Sequence, residues 1–221
     1  MKKLICLIVM ISVVFCLSSC EEKEEKIYVQ YSKASVDEFM TAVESLRMKD
    51  ECDTEAFVGP LKSENCYNVT PEEIKKETEV QVFRFSDNMQ SFFYLDEEIY
   101  DIISLGGYGF MSGVTCDFDA DGNKDILYTT SWGSGIHRTD IWVFNTVTKE
   151  RVYVASSSID LNYAHADLIV RKNTQDDGTA IFEVCMVEID YSTDSSDFGY
   201  KVIETIGRVE AKNGVPVFIG E

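Results

Sequence analysis

Positive charge is scarce in this chain. Twenty lysines and arginines stand against 39 aspartates and glutamates, a formal charge of −19 over 221 residues. Such a surface repels nucleic-acid phosphates and anionic lipid headgroups, so nucleic acid is excluded as a partner. Histidine is almost missing. His137 and His165 are the only two, and any serine–histidine–acid arrangement has to use one of them. There is no Gly-x-Ser-x-Gly elbow. The stretch Gly133-Ser134-Gly135 has neither its spacing nor its strand–turn–helix setting. Phosphate loops, dinucleotide fingerprints and Cys-x-x-Cys pairs are also missing, which removes the usual nucleotide, zinc and dithiol chemistries. The apolar run Leu4 to Leu17 is too short to span a membrane comfortably. What remains suits one domain with targeting and linker segments.

The N-terminus carries the most specific signal. Lys2 and Lys3 precede the apolar run, and Leu17-Ser18-Ser19-Cys20 follows it. This is the layout of an export signal. Leu17 to Cys20 resembles the lipobox of bacterial lipoproteins. The resemblance implies lipidation of Cys20, removal of residues 1–19 and a location at the cell envelope, anchored to the membrane on its extracytoplasmic side. Loss of Lys2 and Lys3 takes the formal charge from −19 to −21. The run Glu21 to Lys26 reads as a solvated tether, so residues 20–32 hold the domain away from the membrane.

Cys52, Cys66, Cys116 and Cys185 lie beyond that anchor. An exported protein meets oxidising conditions, so disulfides are permitted. Cys52 and Cys66 flank one short segment and are the favoured pair. Cys116 and Cys185 fall in apparent strands, as buried thiols or a second bridge. Four cysteines allow three connectivities, and spacing alone does not choose among them.

Residues 33–79 read as a helical N-terminal part. The first helix covers 35–49, with Ser35 and Glu38 at its start and Val36, Phe39, Met40, Val43 and Leu46 on one face. That face packs on the domain or fits a partner's groove. Thr70-Pro71-Glu72-Glu73 predicts a second helix, capped by Thr70 and ending near Glu79. Asn68-Val69-Thr70 matches a glycosylation sequon, which carries little weight in a bacterial lipoprotein. From Val80 the period becomes two, and residues 80–221 read as a β-rich domain. Strands are predicted near 80–85, 91–95, 98–104, 110–116, 126–131, 140–144, 151–154, 167–171, 180–189, 205–211 and 215–219. Turns fall at Asp96-Glu97, 145–149, 176–178 and Asn213-Gly214. The fold class is mainly β (α+β): an antiparallel sheet assembly, sandwich-like or partial-propeller-like, with short N-terminal helices.

The chemistry concentrates in Asp117-Phe118-Asp119-Ala120-Asp121-Gly122-Asn123-Lys124-Asp125. Carboxylates at loop positions 1, 3, 5 and 9 can converge on one hard cation, and Gly122 permits the bend. Asp117, Asp119, Asp121 and Asp125 are candidate side-chain ligands, with the Asn123 carbonyl in the position-7 role. Position 12 is Tyr128 rather than a bidentate glutamate, which argues against an EF-hand. Residues 110–145 look like the loop of FG-GAP and VCBS-type repeats, found in propellers and bacterial surface proteins. That resemblance implies calcium bound between two strands. One copy is present, whereas a propeller needs several blades. A calcium site of low affinity would be filled outside the cell and would pin the strands.

Thr129 to Arg138 follows the strand leaving the loop. Trp132, Ser134, His137 and Arg138 form a candidate ligand patch; the simpler reading is a hairpin turn with a packed tryptophan. The aromatic stretch 92–110 is explained by core packing. Glu97 and Glu98 are adjacent acids in a chain rich in acids and carry little information. The expected function is a membrane-anchored, non-enzymatic binding or structural module stabilised by calcium, with a protein or glycan ligand. The alternatives are a glycan-acting hydrolase using an acid pair near Trp132, and an assembly protein working through the first helix.

Overall fold

The computed structural model describes residues 35–48, 61–102, 106–133, 136–157, 160–161, 166–190 and 199–220. Cys20, the tether, Cys52, Ser134 and His165 lie outside them. No helix among the described residues is long and apolar enough to cross a membrane.

Helix α1 (Val36–Met48) comes first. Strand β1 (Cys66–Asn68) and the short helix α2 (Glu72–Glu77) follow. Then come β2 (Gln81–Phe85), β3 (Ser91–Leu95) and β4 (Glu98–Ile102). Strands β5 (Gly109–Cys116), β6 (Asp125–Trp132), β7 (Arg138–Phe144) and β8 (Arg151–Ser156) make a second group. The third is β9 (Asp167–Thr174), β10 (Ala180–Asp190), β11 (Gly199–Lys212) and β12 (Val215–Gly220). Each group is a four-stranded antiparallel meander, with neighbours in sequence paired in space. The protein is therefore mainly β, with three stacked sheets and short N-terminal helices. Sheets made of consecutive strands are how propeller blades are connected, whereas Greek-key sandwiches interleave theirs.

Burial defines the stacking order. On one face of the first sheet, Phe83, Phe85 and Phe92 pack on Val36, Phe39 and Val43 of α1. The Phe39 and Phe83 rings are stacked, with centroids 4.2 Å apart. The other face, through Val82, Phe93 and Leu95, meets Phe110, Ile126, Tyr128 and Phe144 of the second sheet. The second sheet's far face, through Val114, Leu127, Ile141 and Val143, meets Leu168, Val170, Val184, Ile206 and Val209 of the third. The layers thus run helix, sheet, sheet, sheet. A strand covered on both sides cannot keep one polar face. This is why Val82 to Phe85 are all buried, and not alternately exposed as a period of two suggests.

Local chemistry sets the turns. Asn213 and Gly214 have φ of 55° and 78°. Positive φ at both central residues is the twist-compatible turn of a two-residue hairpin. Asp96 and Glu97 form the same kind of turn without glycine. Two expectations change. Thr70 does not cap α2: Pro71 occupies the capping position with no side-chain hydrogen bond. The Thr70 hydroxyl donates to Asn68 Oδ1 (2.6 Å) and accepts from the Val82 amide (2.8 Å), tying β1 to β2. Asn68 is buried and donates to Ser35 Oγ and Gln81 Oε1, so this sequon asparagine is a structural tie.

The cysteine expectations change too. Cys66 is a free, buried thiol, and burial pushes its pKa up to about 12. Cys116 and Cys185 are also free and buried, and do not form the alternative second bridge. Cys116 packs between the second and third sheets, whereas Cys185 belongs to a separate cluster with Met111, Ile169 and Tyr200.

Candidate metal centre and ligand face

Strand β5 runs into the aspartate loop and β6 leaves it, with Cys116 opposite Asp125 across the hairpin. Phe118 is the loop's anchor. It is 7 % exposed, joins the core between the second and third sheets, and meets Phe182 edge-on at 5.0 Å. With that ring held inside, Asp119 and Asp121 lie exposed on the loop's rim while Asp117 stays half-buried at its root. Ala120 (φ 59°) and Gly122 (φ 88°) supply the left-handed backbone that curls it. Asp119 Oδ1 accepts from the Asp121 amide (3.3 Å), and Asp121 Oδ1 accepts from the Asn123 amide (2.7 Å).

The result is a convergent triad. One carboxylate oxygen from each of Asp117, Asp119 and Asp121 lies within 4.8 Å of the others. Asp117 Oδ1 is buried and has no hydrogen-bond partner among the described residues. A buried acceptor without a donor is costly, and a hard cation would satisfy it. All-oxygen ligands suit calcium. The residues therefore fit the ion the loop pattern implies.

Asp125 is not part of the triad, and Asn123, expected to bind through its carbonyl, also engages it through its side chain. Asn123 Nδ2 donates to Asp121 Oδ2 (3.1 Å), so its side chain braces the triad. Asp125 sits at the base of the loop, 3 % exposed, and its Oδ1 accepts from the Thr146 amide (3.0 Å). Burial, together with the fields of Asp119, Asp121 and Asp117, outweighs that hydrogen bond and raises its pKa to about 6. The braces that sequence reading missed come from the β7–β8 turn. Asn145 Nδ2 donates to Asp119 Oδ2 (3.0 Å), and Thr146 Oγ1 donates to the Lys124 carbonyl (2.8 Å). Asn145 is visible in the sequence as a turn residue; nothing there links it to a loop 26 residues earlier.

The patch expected at Trp132, Ser134, His137 and Arg138 divides between two faces. Trp132 and Arg138 are cross-strand partners, with the guanidinium carbon 4.9 Å from the indole centroid. His137 turns to the third sheet, with Nδ1 3.8 Å from Asp167 Oδ2 and its ring edge-on to Tyr108 at 4.4 Å. Ser131 Oγ donates to Asp167 Oδ1 (3.2 Å). Both side chains thus address the acid, whereas Ser134, the serine of the expected patch, lies outside the described residues. The adjacent acids Glu97 and Glu98 lie exposed on a hairpin, with Glu98 Oε2 accepting from Tyr100 Oη (2.5 Å).

Beside Trp132 lies a group with no counterpart in the predicted patch. Asp140 is half-buried, and burial raises its pKa against the opposing effects of the Ser156 hydroxyl and the nearby Trp132 indole; Asp160 adds repulsion. The Trp132 Nε1–H is buried and makes no hydrogen bond of full geometry among the described residues. Asp160 Oδ2 accepts from the Ser156 amide (2.8 Å) and from the Tyr153 hydroxyl. Trp142 meets Tyr153 edge-on at 5.1 Å and carries the Arg151 guanidinium at 5.8 Å. Comparison with protein-family models, curated proteins and solved structures finds no match to this chain.

Proposed function

We propose that this chain is a lipid-anchored extracytoplasmic binding module, held through Cys20 and residues 20–32, whose β-domain is clamped by calcium. The buried Asp117 Oδ1, without a hydrogen-bond partner among the described residues, supports the calcium reading together with the triad around it. Asp117, Asp119 and Asp121 would hold the ion, with the Asn123 carbonyl and Asp125 completing the set. Calcium supplies charge neutralisation, and the clamp joins the β5–β6 hairpin to the β7–β8 turn through Asn145 and Thr146. Calorimetric titration tests it: saturable heat with calcium, abolished in Asp119→Asn with Asp121→Asn, is expected. No heat in the unchanged chain removes calcium from the account. The anchor rests on Leu17-Ser18-Ser19-Cys20 and is tested by palmitate labelling in a bacterial host, with Cys20→Ser expected to lose the label and the membrane fraction. The carboxyls of Asp140, beside Trp132, and of its neighbour Asp160 favour a second reading, a glycan-acting hydrolase. Release of reducing ends that disappears in Asp140→Asn would select it.

A further inference from the structure

Asn145, just past the end of β7, is fixed from several sides. Its backbone amide donates to the Glu150 carbonyl (2.9 Å), and its carbonyl accepts from the Lys149 amide (3.0 Å). Its side-chain Oδ1 accepts from the Val147 amide (3.0 Å) and the Thr148 amide (2.7 Å). A carboxamide has an accepting oxygen at one end and a donating NH2 at the other, and the hydrogen-bond network decides which end is which. With the oxygen turned to the two turn amides, the NH2 is the end that reaches the aspartate loop. Nδ2 donates to Asp119 Oδ2 (3.0 Å). Thr146 holds the same turn against the base of the loop, through Asp125 Oδ1 and the Lys124 carbonyl.

The three carboxylates of the triad need such a hold to different degrees. Their oxygens lie within 4.8 Å of one another, and like charges at that range repel. Asp117 is half-buried, and its Oδ1 is buried without a hydrogen-bond partner among the described residues. Asp121 is exposed but is held inside the loop by the Asn123 amide and side chain. Asp119 is exposed too, and its bond within the loop, from the Asp121 amide, is long at 3.3 Å. Its shorter tie comes from Asn145, on another hairpin. An exposed carboxylate without a tie swings away, and ordering it again costs side-chain entropy. A neutral donor fixes it without adding charge to an acidic loop. The same NH2 has no lone pair to give a cation. We infer that Asn145 is a positioning residue of the cation site, holding Asp119 in the triad and contributing no ligand atom. This rests on the calcium reading of the loop and extends the site beyond the Asp117 to Asp125 motif.

Asn145→Asp and Asn145→Ser separate this role from a part in the turn. Both keep a side-chain oxygen for the Val147 and Thr148 amides, and both lose the NH2. The full chain and the two variants are titrated calorimetrically with calcium chloride, and each is melted in chelator and in calcium. Calcium affinity weaker by about tenfold or more is expected in both variants, as for other residues that orient metal ligands. Asn145→Asp should be the weaker of the two, because its carboxylate repels Asp119. The calcium-induced rise in melting temperature should shrink in the same order, while cooperative melting in chelator shows that both variants fold. Binding by Asn145→Asp as tight as in the parent, or tighter, makes the position a ligand and overturns the inference. Unchanged affinity in Asn145→Ser makes it a turn residue alone and overturns the inference as well. With heat in the unchanged chain, either of those results leaves the calcium reading standing. No heat in the unchanged chain removes the calcium reading and this inference with it.

Discussion

Removing the Phe118 ring tests whether the aspartate loop is built from the core outward. The side chain is almost fully buried between the second and third sheets and contacts Phe182. Truncating a buried phenylalanine to alanine costs about 3–5 kcal/mol, and a site near a loop that can collapse falls at about 3. For a chain of this size each kcal/mol shifts the melting temperature by about 2–4 °C, so Phe118→Ala should melt about 6–12 °C lower. Phe118→Leu keeps most of the volume and should cost less than about 1.5 kcal/mol. The consequence extends to the metal. At a Kd of about 10⁻⁴ to 10⁻³ M, 10 mM calcium stabilises the native state by about 1.4–2.7 kcal/mol. That is a rise of about 3–11 °C in the unchanged protein. Asp117 and Asp119 flank Phe118, so the alanine variant should also lose most of the calcium-induced rise. Differential scanning calorimetry with calcium and with chelator measures both quantities. A Phe118→Ala protein that melts within about 2 °C of the parent would refute the premise that the core holds the loop.

A second tie joins α2, β5 and β9: Glu73 Oε1 accepts from Lys172 Nζ (2.7 Å) and from the Thr115 amide and hydroxyl. Burial opposes ionisation of Glu73, but these hydrogen bonds and the Lys172 charge outweigh it and hold its pKa below the usual value. Its contribution is therefore full above the unfolded-state value, about pH 4.3, and is lost as pH falls through the lowered native value. Glu73→Gln should cost about 1–3 kcal/mol at neutral pH, with the difference in urea midpoints shrinking below pH 4. Cys66, with its pKa raised to about 12, should resist Ellman's reagent at pH 8 in the native protein and react once urea unfolds it. Gly107 has φ 87°, and a Cβ there would stand 2.7 Å from Trp132 Cα. Gly107→Ala should destabilise by more than about 2 kcal/mol and shift tryptophan emission, whereas Gly122→Ala, with open space around it, should cost only about 1–2 kcal/mol.

The extent of what could be read in advance varies with the range of the interactions. Helix α1 was legible because Val36, Phe39 and Val43 repeat at helical spacing and all three are buried. The hairpin at Asn213-Gly214 was legible because positive φ is a property of those two residues. The patch around Trp132 was legible only as a segment. Strand alternation sends Trp132 and Arg138 to one face and His137 to Asp167 on the other, and the flat sequence lists them side by side. Thr70 before a proline and two acids looks like a cap. It was recruited by Asn68 and Val82, the second of which lies twelve residues on.

By itself, then, the sequence determined the β-rich class, the turns, and the convergence of Asp117, Asp119 and Asp121, because each depends on neighbours within a few residues. The tertiary structure alone decided that the three sheets stack beneath α1, so that Val82 to Phe85 are buried on both sides. It also brought Asn145 and Thr146 to brace the loop, and set Arg138 of β7 over the Trp132 ring of β6. These features come from contacts between segments tens of residues apart, whose pairing depends on how whole faces bury one another and not on any local pattern.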